Sequence, residues 1–216
     1  MKFFPKLTLL PIFISLIFSV NLHAAGDLKE PLHPYWSFEG PLGTFERASL
    51  QRGYQVYTEV CAGCHSMDYL SYRNLVEDGG PEFSEAQAKA MAAQFEVKDG
   101  PNEDGEMFLR PAILSDKFVS PWENEQQGRA ANGGAYPPDL SVMVKARSGG
   151  ADYLYSLLLG YEEPPSDMKL DDGVYYNIYA KGQKIAMPQL LYDGAVEYTD
   201  GTVSTHEQMA YDVTSF

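Results

Sequence analysis

Cys61-Ala62-Gly63-Cys64-His65 sets two thiols three residues apart, with an imidazole directly after the second. Cysteines at i and i+3 share one face of a short helix, so both sulfurs can reach a single flat ligand lying against that face. The spacing suits covalent attachment of a haem: each sulfur takes one vinyl group, and His65 offers a ring nitrogen to the iron from the proximal side. Small residues at 62 and 63 let the backbone lie close to the macrocycle. Rival uses of the pair fit less well. A disulfide is conceivable in an oxidising compartment. A thioredoxin-like pair needs a strand before the motif, whereas Leu50, Tyr54, Tyr57, Cys61 and Cys64 recur at three- and four-residue steps and predict an amphipathic helix leading in. Zinc needs two further ligands, and the chain has only these two cysteines and no close histidine pair.

A haem iron has a sixth position, and its occupant decides the chemistry. A His/Met pair raises the reduction potential and suits electron transfer; an open position suits gas binding or peroxide chemistry. The remaining histidines are His23, His33 and His206, and there are eight methionines. Met187 stands ahead of Met143 and Met168, because Pro188 biases it towards an extended, stiff loop conformation. Core packing is the ordinary role of a methionine and remains the competing reading.

The elements that must carry these groups follow from local signals. The haem-attachment helix is expected over residues 45–66. Ser84 with Gln87 makes a capping box for a helix over 84–95, its body filled with alanine. Residues 97–135 read mostly as loop, with acidic and glycine clusters. Pro138 can open a short helix at 139–147. A helix over 152–159 ends at Gly160 and is barred from resuming by Pro164-Pro165. Residues 175–179 and 195–198 are strand candidates, Asp200-Gly201 is a turn, and Thr205 with Gln208 caps a final helix. No internal repeat is present. The expected fold is mainly α, a helical haem cup with long loop insertions and a small β element.

The 216 residues suit one domain with anchoring pieces, and 14 prolines with 19 glycines call for long ordered loops. Sixteen basic against thirty acidic residues give a net charge of −14, which argues against nucleic-acid binding, since phosphates must be neutralised by Lys and Arg. A solvated acidic surface is the plain reading; an acidic face steering a basic partner is the sharper one. Lys2 and Lys6, the apolar run from Leu7 to Val20 and Ala24-Ala25 read as a signal peptide over residues 1–24, placing the rest outside the cytoplasm. Residues 25–44, rich in Pro, Gly and aromatics, read as an extended arm, and 45–216 as the haem domain.

Several longer stretches occur in a distinctive order: Leu50-Gln51-Arg52-Gly53, Tyr72-Arg73-Asn74-Leu75, Met107-Phe108-Leu109-Arg110-Pro111, Ala130-Ala131-Asn132-Gly133-Gly134-Ala135-Tyr136-Pro137-Pro138-Asp139-Leu140-Ser141, Tyr153-Leu154-Tyr155-Ser156-Leu157-Leu158, Gly160-Tyr161, Glu163-Pro164-Pro165 and Ile185-Ala186-Met187-Pro188. From Trp36 to Phe216 the chain resembles the cytochrome c1 family, the haem subunits of ubiquinol–cytochrome c reductase (the cytochrome bc1 complex), in its alphaproteobacterial or mitochondrial form. The resemblance implies a class I c-type cytochrome fold and one covalent haem c. It makes Met187 the partner of His65 on the iron, gives Arg129 the role of pairing with a haem propionate, and sets Pro111 against the proximal histidine. It implies cytochrome b and the Rieske iron–sulfur protein as neighbours, a soluble cytochrome c as acceptor, and a place on the periplasmic side of the inner membrane. In that setting the chain relays electrons and has no substrate chemistry of its own. Two departures stand out. Gln189-Leu190-Leu191 replaces the proline-rich stretch that follows the methionine, and the membrane-spanning helix of the family would begin about where this sequence stops, which reads as truncation. The rival functions are a soluble periplasmic electron carrier and a haem enzyme or sensor with an open iron site.

Overall fold

The computed structural model describes residues 29–216; the expected signal peptide lies outside them. The molecule is mainly helical. Helix α1 (Arg47–Val56) runs without a break into one π-helical turn, Tyr57–Cys61, so the predicted attachment helix exists but closes at the first cysteine. Its wider last turn ends with the Ala62 amide donating to the Tyr57 carbonyl at 2.7 Å.

Helix α2 (Glu85–Ala92) starts at the capping box, with the Gln87 amide on Ser84 Oγ and the Ser84 amide on Gln87 Oε1, and it ends three residues earlier than predicted. The stretch expected to be loop contains three elements. Strands β1 (Glu96–Asp99) and β2 (Phe108–Pro111) pair antiparallel, Glu96 opposite Pro111. Helix α3 (Glu125–Ala131) is capped by Asn124, whose side-chain oxygen accepts from the Gln127 amide. Helix α4 is only Met143–Ala146, and Pro138 does not open it. Helix α5 (Gly150–Leu159) ends at Gly160 as expected. Strands β3 (Tyr175–Tyr176) and β4 (Lys184–Ile185) form a second small antiparallel pair. Residues 195–198 are not a strand: no neighbouring chain pairs with them, and Val196 and Tyr198 are buried as loop side chains instead. Helix α6 (His206–Ser215) is capped by Thr205, which accepts from the Gln208 amide.

The fold is organised around α1 packed on α6, with α5 against α6. Gly53 makes the crossing possible, because a Cβ there would stand 2.1 Å from the Asp212 carbonyl oxygen. Beside it the fully buried Asp212 carboxylate accepts from Ser49 Oγ, from Arg52 Nε and Nη2, and from Gln208 Nε2. A charge taken out of water is tolerated only when paired and hydrogen-bonded in this way. On one side of α1, Tyr54, Tyr57, Met67, Tyr72, Leu75 and Phe118 make an aromatic-rich core; on the other, Val56 packs with Leu191, Val196, Met209 and Ala210.

The described part of the arm is tied across α5 and α6. Trp36 is buried, stacks on Tyr211 at 4.8 Å between centroids, and donates through Nε1 to Asp152. His33 meets the other Asp152 oxygen at 2.6 Å, and the Leu32 amide donates to Ser156 Oγ. Among the described residues no helix is long and apolar enough to cross a membrane.

Candidate functional site

The two thiols leave the end of the π turn together. Both cysteines are half-buried and unbridged, and the amides of Cys64 and His65 donate to the Cys61 carbonyl at 3.0 and 2.9 Å, which curls the motif into a tight turn. Burial of the Cys61 thiol, with Cys64 close by, pushes its pKa up to about 12. Thioredoxin-type exchange needs a depressed thiol, so the pair is not arranged for that chemistry. A Cβ on Gly63 would meet no protein atom within 4 Å, leaving one side of the motif open.

His65 is oriented from across the molecule. Its Nδ1 lies 2.7 Å from the Pro138 carbonyl oxygen. A carbonyl can only accept, so Nδ1 carries the hydrogen and Nε2 presents its lone pair. Burial lowers the pKa of the imidazole, outweighing the Pro138 carbonyl and the Asp139 charge, and this favours the neutral, ligating form.

The loop carrying Pro138 is held by its neighbour Asp139, whose carboxylate accepts from Ser66 Oγ at 2.8 Å, the Asp68 amide at 2.8 Å and the Ser141 amide at 2.9 Å. The Leu140 amide donates to Ser66 O, and Trp122 Nε1 to Cys64 O. Burial works against the charge of Asp139, yet these hydrogen bonds hold its carboxyl below the ordinary range.

Met187 lies half-buried two residues beyond β4, and its carbonyl accepts from the Tyr161 hydroxyl at 2.9 Å. Met143 is a core side chain of α4, and Met168 sits in the loop after α5. Arg129 is on α3, about half exposed; its guanidinium donates to Glu125 and to the Gly134 carbonyl and lies over the Tyr136 ring. Pro111 closes β2, exposed, and its carbonyl accepts from Arg110. The proline whose carbonyl accepts from His65 is Pro138, expected from the sequence as a helix start. Also missed were Asp139, Trp122 and Tyr161. Asp139 and Tyr161 both fall in the distinctive stretches named above, but their partners lie 73 and 26 residues away, and such contacts leave no residue-type signature.

The donor set fits a covalently attached haem: two free thiols on one turn, one imidazole with its tautomer fixed, and a thioether on a tethered loop. Such a set of side chains is of the kind that c-type cytochromes use to hold haem. A profile of the Cytochrome C1 family matches residues 36–216. "Cytochrome c1 2, heme protein, mitochondrial" of Arabidopsis thaliana is 53% identical over 193 residues, covering 89% of this chain and 62% of its own length. "Cytochrome b-c1 complex catalytic subunit, mitochondrial" of Candida albicans is 51% identical over 202 residues, covering 92% and 69%. "Cytochrome b/c1" of Bradyrhizobium diazoefficiens is 48% identical over 200 residues, covering 84% and 29%. The chain thus belongs to the cytochrome c1 family, and it spans 62% of the length of the Arabidopsis relative.

Proposed function

We propose that this chain is the electron-transfer haem subunit of a ubiquinol–cytochrome c reductase, taking electrons from the Rieske iron–sulfur protein and passing them to a soluble cytochrome c. The observation that carries the reading is His65, whose Nδ1–H is committed to the Pro138 carbonyl so that Nε2 is left for iron, directly beside the paired thiols of Cys61 and Cys64. One haem c would be held through Cys61, Cys64, His65 and Met187, and it supplies a one-electron iron couple. The chain's own work would be to hold the His65 imidazole through the Pro138 carbonyl and the Met187 main chain through the Tyr161 hydroxyl. Arg129 is the basic side chain proposed for a propionate, a role in which it would exchange Glu125 for the ligand carboxylate. Pro111 is proposed to lie against His65, whose Nδ1 donates its hydrogen bond to the Pro138 carbonyl.

The packing of α1 on α6 supports a class I c-type cytochrome fold. A relative named as a subunit of the cytochrome b-c1 complex and another named cytochrome b/c1 support cytochrome b as a neighbour; the leader-like residues 1–24 support a position on the periplasmic side of the inner membrane. The test is the optical spectrum of protein matured with haem, wild type against Met187→Leu. Wild type is expected to show a low-spin c-type spectrum with the weak methionine–iron band when oxidised; the variant should lose the band and bind carbon monoxide when reduced. An unchanged spectrum in the variant rules out His65/Met187 ligation.

A further inference from the structure

The loop that bears Met187 is fastened in an uneven way. Downstream, Leu191 is buried against Val56, Val196 and Met209. Upstream, β4 pairs with β3, Tyr175 opposite Ile185 and Tyr176 opposite Lys184. Between them, from Ala186 to Pro188, the main chain has one hydrogen-bond partner among the described residues, the Tyr161 hydroxyl on the Met187 carbonyl.

Tyr161 is itself rigidly mounted. It forms an antiparallel bridge with Asn177, and the Ile178 amide donates to the Gly160 carbonyl at 2.9 Å. Asn177 is fully buried; its side chain donates to the Leu157 carbonyl at the end of α5 and accepts from the Tyr179 amide. Gly160 permits this close approach, since a Cβ there would stand 2.5 Å from the Tyr179 ring and 2.6 Å from Asn177 Oδ1. The end of α5, the β3–β4 pair and the residue before Pro188 are thereby joined through one phenol.

We propose that Tyr161 is the positioning residue for the sixth ligand: its hydroxyl fixes the Met187 main chain so that the thioether stays at the iron. The proposal rests on the assignment of Met187 made above. A phenol suits the task, because a ring with two side-chain torsions places a donor several ångströms from its own backbone at little cost in conformational entropy. Removing a single such hydrogen bond changes a local equilibrium by roughly 3- to 10-fold.

The experiment is an imidazole titration of the oxidised, haem-loaded full chain, following loss of the methionine–iron band, for wild type, Tyr161→Phe, Met187→Leu and Tyr211→Phe. Tyr211 donates to the Tyr35 carbonyl on the arm, so its variant makes the same chemical change away from the loop. The expected result is that Tyr161→Phe retains the band but loses it at roughly 3- to 10-fold lower imidazole, while Tyr211→Phe titrates like wild type. A Tyr161→Phe midpoint equal to that of wild type, or a Tyr211→Phe midpoint shifted as far, overturns the proposal. Failure of the ligand assignment shows separately, as a Met187→Leu protein that keeps the band. If Tyr161→Phe is recovered poorly, Tyr161→Leu, an apolar side chain with no donor for the carbonyl, carries the same expectation.

Discussion

At the level of single residues, Asp139 shows how a site is fixed by a group one residue away from the carbonyl that orients His65. It gathers Ser66, Asp68 and Ser141 and thereby brings the Pro138 carbonyl to His65. Asp139→Asn exchanges an acceptor-only carboxylate for a group that must turn an NH2 towards one set of donors. It is expected to lower stability by about 1–3 kcal/mol, read by chemical denaturation. The pH dependence has a definite sign. The folded-state pKa of Asp139 is depressed, so its contribution is complete above the unfolded value of about 3.9 and is lost as pH falls through the lower folded value. The gap between wild type and variant should therefore be widest at neutral pH and shrink below about pH 4; a gap independent of pH would mean that the carboxylate charge contributes nothing.

Among the elements, the α1–α6 crossing is the most sharply determined. Gly53→Ala would drive a methyl group into the Asp212 carbonyl, which belongs to helix backbone and cannot swing aside. Overpacking of this kind costs about 1–3 kcal/mol where neighbours can yield, and the upper end or beyond is expected here, seen as a lowered thermal midpoint and a separation of the two helices. The sequence announces these helices clearly. Ser84 with Gln87 and Thr205 with Gln208 are local devices, complete within four residues, and the structure uses both. The β1–β2 pair escapes notice because Glu96, Lys98 and Asp99 are polar, only Val97 of β1 packs on the core, and Phe108 and Leu109 of β2 are both exposed, so no hydrophobic alternation marks the strands. Residues 195–198 err the other way: apolar side chains are buried there, but sheet formation needs a partner strand. The same distinction holds at the site. Cys61, Cys64 and His65 are legible because their chemistry is written in adjacent residues. Pro138 and Tyr161 act through main-chain groups or across 26 to 73 residues, and only the fold brings such groups together.

For the whole molecule, a net charge of −14 becomes a matter of where the acids lie. Glu162, Glu163, Asp167, Asp171 and Asp172 are all exposed on the segment between Tyr161 and β3, and Tyr161 ties that segment to Met187. Negative charge is thus concentrated on a segment tied to Met187, which suits the proposed steering of a basic cytochrome c. Lysine at 162, 163 and 167 is expected to slow reduction of such a partner at low salt. The difference should fade above ~0.15 M salt, where charges farther apart than about 8 Å are screened. Rates that follow the same salt curve in wild type and variant would exclude this surface as the steering face.

The pairing of Arg52 with Asp212 joins positions 160 apart in sequence, on the very helix that leads into the thiols. Contacts between such distant parts of a chain form late, because loop-closure entropy must be met before they are rewarded. Synthesis therefore delivers α1 and the thiol motif well before α6, and until α6 arrives Arg52 and Ser49 lack the carboxylate that they hold in the folded molecule.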